Sequence, residues 1–131
     1  MLDIITSYYK NPVNMWQLED FDINFSVWNH ICGDDITVYI KFDDRKIIWW
    51  SFDGHPSMIT TASCSFFSEL VIWKDIDTVL NMDEKSMTDE WFVASPRRRR
   101  AVVIGILATK NAIHKWLADG IEEGWDDVFV D

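Results

Sequence analysis

His30-Ile31-Cys32-Gly33-Asp34-Asp35 runs straight into Ile36-Thr37-Val38-Tyr39-Ile40-Lys41-Phe42, and the reading of this stretch decides the fold. Ile36, Val38, Ile40 and Phe42 alternate with Thr37, Tyr39 and Lys41, the period of a half-buried strand. Asp43-Asp44-Arg45 reads as a tight turn, and Lys46 to Phe52 as the returning strand. On the other side, Phe25 and Val27 alternate with Asn24 and Ser26, so Asn24 to Asn29 reads as a first strand. Connections this short imply antiparallel pairing. Gly54-His55-Pro56 is expected to break the sheet. The loop before the central strand carries a cysteine, a glycine that permits a turn where a Cβ would clash, and a carboxylate two residues on. A thiol at a loop tip is a poor packing choice and a good chemical one.

The remaining chain is helical in pattern. Leu2 to Tyr9 reads as a short amphipathic helix stopped by Asn11-Pro12, since a residue before proline avoids helical geometry. Ser57 is an N-cap candidate for a helix reaching Trp73, with Met58, Ala62, Phe66, Leu70 and Trp73 as its buried stripe. Asp75 caps a short helix through Val79-Leu80, and Asp83 opens another through Met87, Trp91 and Phe92. Ser95-Pro96 starts the last helix, with Val102, Ile106, Thr109, Ile113 and Trp116 inward and Gly120 as its stop. The expected fold class is α+β: a small three-stranded antiparallel sheet with helices packed on one face. Residues 1–120 are expected to form one domain, and the acidic tail 121–131 to fray.

Composition narrows the function classes. At 131 residues one domain with its own core is expected. Twenty-two acids against twelve bases give a net charge of −10, which argues against nucleic acid or an anionic membrane as partner. No apolar run approaches the ~20 residues of a membrane span, and no secretory signal is visible at the start of the chain. Cys32 and Cys64 suggest no disulfide framework, so a reducing, cytoplasmic setting is expected. Trp49 and Trp50 are adjacent in a strand and must face opposite ways, so one of them meets a helix, a partner or water. Arg97 to Arg100 place four cations where the helix dipole disfavours them, which invites a reason.

Cys32-Gly33-Asp34 before a strand resembles the first ligand motif of the IscU/NifU-type iron–sulfur cluster assembly scaffolds. Three further segments follow that resemblance in order: Tyr9-Lys10-Asn11-Pro12-Val13-Asn14 with Leu18-Glu19-Asp20, Ser51 to Ser63, and Lys110-Asn111-Ala112-Ile113. The resemblance implies three cysteine ligands and one further ligand, because iron and sulfide call for soft anionic donors. Laid on this chain, Cys32 and Asp34 remain, the second cysteine falls at Ser57, and the third at Ala101 or, in another register, Gly105. A [2Fe–2S] cluster would therefore meet a degenerate site. His55 could join Cys32 and Asp34 in a three-ligand site for zinc or iron, with His30 as the other candidate, whereas Cys64 reads as a core thiol.

The function implied is that of a scaffold-like protein in cluster assembly, holding a transient or subunit-bridging cluster through Cys32 and Asp34. The first alternative is a sulfur acceptor resembling the SufE-type proteins, with Cys32 taking a persulfide from a cysteine desulfurase. The other is a binding module that kept the fold without the chemistry. No nucleophile–base pair stands at recognisable spacing, so the chain is not read as an enzyme. A cysteine desulfurase is the partner the resemblance implies, with Arg97, Arg98, Arg99, Arg100 and Trp49 or Trp50 as the docking surface. The proline-rich chaperone-recognition segment of the scaffolds is reduced here to Ala94-Ser95-Pro96.

Overall fold

The computed structural model describes residues 2–31 and 33–130, so the role assigned to Cys32 falls outside the described residues. The element order is α1 (Leu2–Lys10), β1 (Ile23–Asn29), β2 (Asp34–Asp43), β3 (Lys46–His55), α2 (Met58–Val71), α3 (Ile76–Leu80) and α4 (Glu84–Thr88). A 3-10 turn at Pro96–Arg98 then leads into α5 (Arg99–Leu117), and α6 (Trp125–Val128) closes the chain. The sheet order is β1-β2-β3, antiparallel throughout, as the alternation predicts. Ile23, Phe25 and Val27 pair with Ile40, Val38 and Ile36, and the last two meet Phe52 and Gly54 across β3. These residues share the face on which α5 lies. The sheet's outer face carries Ser26, Thr37 and Asp53, with the two hydroxyls 2.6 Å apart.

Trp50 and Phe52 are the large aromatics of the inner face, 1% and 0% exposed. Burying each contributes about 1.5–3 kcal/mol. Trp50 is also pinned to α5, because its indole Nε1 donates to Thr109 Oγ1 at 2.8 Å. Trp49 points the other way and stands exposed. The expectation for this pair therefore resolves against Trp50 as a docking residue: its ring is core.

Several expected boundaries and faces differ from the structure. β3 does not break at Gly54 but continues to His55, since Asp35 still pairs across it. α2 ends at Val71, and its buried residues are Thr60 through Ser65, Phe67, Ser68 and Val71. Met58 and Trp73, assigned to the stripe, are exposed. The reason is that α2 lies between α1 and α5, so small residues face the close helix contact. Phe66 and Leu70 serve the flank toward α1, where Tyr8 meets Phe66 edge-on and its hydroxyl bonds Glu69. α4 stops at Thr88, leaving Trp91 exposed. α5 is buried all round from Ala101 to His114, not along one stripe, and the left-handed residue that ends it is Ala118, not Gly120.

The acidic tail does not fray. Val128 is fully buried, and Asn111 bonds the backbone of Glu123 in both directions, at 2.9 and 2.8 Å. Lys110 reaches Glu123 Oε1 at 3.2 Å. His114 sits between Asp119 Oδ2 at 2.8 Å and Glu123 Oε2 at 2.7 Å. The tail's charges thus find partners on α5, which sequence patterning alone did not reveal.

Candidate functional site

β1 and β2 are joined by a turn that the backbone closes itself. Gly33 N donates to Asn29 O at 2.9 Å, and Ile31 N donates to Asn29 Oδ1 at 3.2 Å. Gly33 has a φ of 71°, the left-handed conformation that favours glycine, as expected for this position. Asn29 and Asp34 form the closing pair of the ladder and are 0% and 1% exposed. Both belong to the inner face, at the end of the sheet where α2 begins.

Asp34 is committed to that helix start. Its Oδ1 accepts from Ser57 N at 2.5 Å, and its Oδ2 accepts from Thr60 Oγ1 at 2.7 Å and Ser57 Oγ at 3.2 Å. Ser57 in turn caps α2 by accepting from Thr60 N. A carboxylate at a helix N-terminus is favoured by the dipole and by the unpaired amide hydrogens there. One turn on, Ser63 Oγ donates to Ala101 O at 2.6 Å, tying α2 to the start of α5. Sequence reading singled out neither Asn29, Thr60 nor Ser63. The run Thr60-Thr61-Ala62-Ser63-Cys64-Ser65 was the available signal, since small polar residues buried in a helix must bond to something.

The ligand positions can be compared with this geometry. Ala101 lies beside the polar start of α2, whereas a Cβ at Gly105 would touch Cys64 Sγ and Phe67 at 3.4 Å, deep in the core. Both registers leave the third position without a donor. Cys64 is fully buried, and burial pushes its thiol well above the ordinary range, the behaviour of a core thiol. His55 does not join Asp34. It stands on the outer face, where its Nδ1 lies 3.2 Å from Asp35 Oδ1 and its backbone N donates to the same oxygen at 2.6 Å. Adjacent residues of a strand face opposite ways, so Asp35, not Asp34, is its neighbour. His30 is exposed and stacks on Trp28 at 4.8 Å. Among the described residues no three His, Cys, Asp or Glu side chains are grouped to hold a metal.

The arginine run does lie beside the 30–33 turn. A cavity of about 850 Å³ is lined by Ile31, by Arg97 through Arg100 and by Phe129 of the tail. A second, of about 470 Å³, adjoins it at Ser95 and Arg98 and is walled by Ile5, Ser57, Ile59 and Val93. Arg99 grips Glu84 through Nε and Nη2, at 2.8 and 2.7 Å, and also donates to Val130 O. The Arg99 guanidinium holds the Glu84 carboxyl below its ordinary range. Arg99 lies over the Phe129 ring and Arg100 over Trp125. Part of the run therefore anchors the tail. Trp49 is not part of this surface: it pairs with Lys41, toward the opposite end of β2 from Asp34.

The family described as the NifU-like N terminal domain matches residues 2–122. The chain belongs to this family. Among curated proteins it is similar to the zinc-dependent sulfurtransferase SufU of Bacillus subtilis, with 35% identity over 81 residues, 62% of this chain and 54% of that protein. It is also similar to the iron–sulfur cluster assembly scaffold protein IscU 1 of Archaeoglobus fulgidus, with 29% identity over 87 residues, 66% of this chain and 57% of that protein. The chain thus spans little more than half the length of these relatives. Among solved structures, the N-terminal part of a nitrogen-fixing NifU-like protein from Brucella abortus superposes with a TM-score of 0.73 at 18% identity, covering 90% of this chain and 94% of that one. That likeness confirms the α+β fold of a NifU-like domain. No helix among the described residues is long and apolar enough to cross a membrane.

Proposed function

We propose that this NifU-like chain serves iron–sulfur cluster assembly as a scaffold-like protein whose own donors stop at Cys32 and Asp34, so that a cluster is held as cargo only when a second chain completes the ligand set. The observation that carries this reading is the bonding of Asp34. Ser57 and Ala101 offer no thiolate, and Asp34 can reach iron only by giving up Ser57 N and Thr60 Oγ1. Charge-assisted bonds of this kind contribute roughly 1.5–3 kcal/mol each. A resident zinc ion does not fit the described donors either, since His55 stands on the opposite face from Asp34.

The same observation supports a second reading, sulfur acceptance through Cys32, and the likeness to a sulfurtransferase favours it further. In that step the Cys32 thiolate attacks the outer sulfur of a donor persulfide. A new S–S bond forms on Cys32, the donor S–S bond breaks, and the donor leaves as a thiolate with no net oxidation. A cysteine desulfurase is the partner this chemistry calls for, docking on the exposed Arg97 and Arg98 beside the turn.

Anaerobic reconstitution with iron and sulfide, followed by metal analysis, absorption spectra and size-exclusion chromatography, tests the scaffold reading. Little cluster should remain on the monomer, and any that is held should elute with a dimer or a complex. A monomer with stoichiometric iron and acid-labile sulfide would refute the proposal. Sulfur acceptance should vanish in Cys32→Ser and survive in Cys64→Ser.

A further inference from the structure

The tail occupies two of the arginines that line the larger cavity. Arg99 Nη2 donates to Val130 O at 2.6 Å, and its guanidinium carbon stands 4.2 Å from the centre of the Phe129 ring. The Arg100 guanidinium carbon stands 4.9 Å from the centre of the Trp125 ring. Val130 N donates to Glu84 Oε1 at 3.1 Å, so both members of the Arg99–Glu84 pair hold the backbone of Val130. Phe129 lines the cavity of about 850 Å³ together with the arginine run. Upstream, residues 118–122 are exposed, and α6 is only four residues long. The contacts beyond Glu123 are therefore few, and they centre on Val128, two rings and the backbone of Val130. The chemistry of these contacts indicates what the surface takes. Trp125-Asp126-Asp127-Val128-Phe129 is an acidic segment with two stacked rings, their centroids 6.5 Å apart, seated on a basic stretch of a chain with net charge −10. The rings meet the guanidinium faces in cation–π fashion. Asp127 Oδ2, by contrast, accepts from Gly124 N within the tail at 2.7 Å. A segment that kept such rings and brought a carboxylate to a guanidinium would bind more strongly, since a charge-assisted bond outweighs a ring contact at the surface.

We propose that the tail is the internal occupant of a peptide-docking surface built on Arg99 and Arg100, and that the external occupant is an acidic, aromatic segment of a partner protein, which displaces residues 124–130 as it binds. This stands apart from the sulfur chemistry and from the docking of a desulfurase on Arg97 and Arg98. The tail competes from within the same molecule, so its high effective concentration lowers the apparent affinity of any incoming segment. Loosening the tail removes that competition, while the His114 clamp still holds its start at Asp119 and Glu123.

The probe is a fluorophore-labelled synthetic peptide with the sequence of residues 121–130, added to the full chain and followed by fluorescence anisotropy. Trp125→Ala with Phe129→Ala removes the two ring contacts from the chain's own tail. That variant should bind the peptide about ten-fold or more tighter than wild type, because the internal competitor is weakened. The gain should be lost when Arg100→Glu is added. A peptide with Asp126→Asn and Asp127→Asn should bind less well, and salt should weaken the acidic one. Wild type gives a second readout that needs no variant to fold: in the nitrogen-15-labelled chain, excess unlabelled peptide should quicken amide exchange at residues 125–130. Equal affinity for wild type and a folded variant, a gain that survives Arg100→Glu, or tail exchange untouched by excess peptide would each overturn the proposal. Concentration-dependent dimers of the tail-loosened variant in sedimentation would make the occupant a second copy of this chain and overturn the partner segment.

Discussion

The clamp at His114 makes the sharpest quantitative claim. The imidazole side chain is 7% exposed and bonds two carboxylates, Asp119 through Nδ1 and Glu123 through Nε2. Burial alone would lower its pKa, but the bonds and charges of Asp119 and Glu123 outweigh it, and the net shift is upward from 6.5. Asp119 shifts the other way, below its ordinary value, chiefly through its bond to His114. A raised histidine stabilises the fold fully below about pH 6.5, and the contribution is lost as pH rises through the folded value. A depressed aspartate contributes above about pH 3.9, and that part is lost as pH falls through its lowered value. The clamp is therefore strongest between those limits. Replacing His114 by Gln removes the charge and leaves Glu123 to Lys110, which lies 3.2 Å away. The bond to Glu123 alone is worth about 1.5–3 kcal/mol. Urea denaturation followed by tryptophan fluorescence should show that loss at about pH 6, narrowing on the alkaline side as pH rises through the raised folded value of wild type. Hydrogen exchange in residues 119–128 should quicken in the variant. A stability difference that stays constant or widens across that alkaline range would refute the clamp.

Other expectations follow from the site and its surroundings. Ser57→Cys with Ala101→Cys should raise cluster retention on the monomer, at a stability cost of about 0.5–2 kcal/mol from the weakened α2 cap; no gain in bound iron and sulfide would show that these are not the ligand positions. Alkylation should label Cys32 and spare Cys64, whose thiol is held protonated in the core; faster labelling at Cys64 in the folded chain would reverse the assignment. Arg97→Glu with Arg98→Glu should weaken capture of a cysteine desulfurase without unfolding the domain, and wild-type binding should fall with salt. Affinity unchanged by both would remove the arginines from the interface.

The sheet was legible because alternation has a period of two and one error of register would have turned every apolar residue outward. Helix starts were legible for a similar reason: Ser57, Asp75 and Asp83 all cap where their chemistry requires it. Faces were less legible. Buried Thr60, Ser63 and Ser68 look like solvent residues until the carboxylate, carbonyl and Asn14 carboxamide they bond are in place. The tail misled because acidity suggests solvation, and only the fold brings Lys110, His114 and Arg99 to it. His55 misled because nearness in sequence to the α2 start concealed that the pleat turns it to Asp35.

The site itself carries the larger consequence. Where the resembling scaffolds place a second thiolate, this chain has the N-cap of α2, and serine is among the residues best suited to that post. Where they place a third, Ala101 offers only a carbonyl, which Ser63 already uses. Asp34, the one carboxylate left to the set, has become the acceptor that fixes β2 to α2. At all three positions the available polar group is taken up by an internal bond, and internal bonds hold the end of the sheet rigid. Rigidity there is of little use to a cluster needing four donors from one chain. The donors at this end of the fold thus agree with the proposed scaffold reading, in which the rest of any cluster's ligands come from outside the chain.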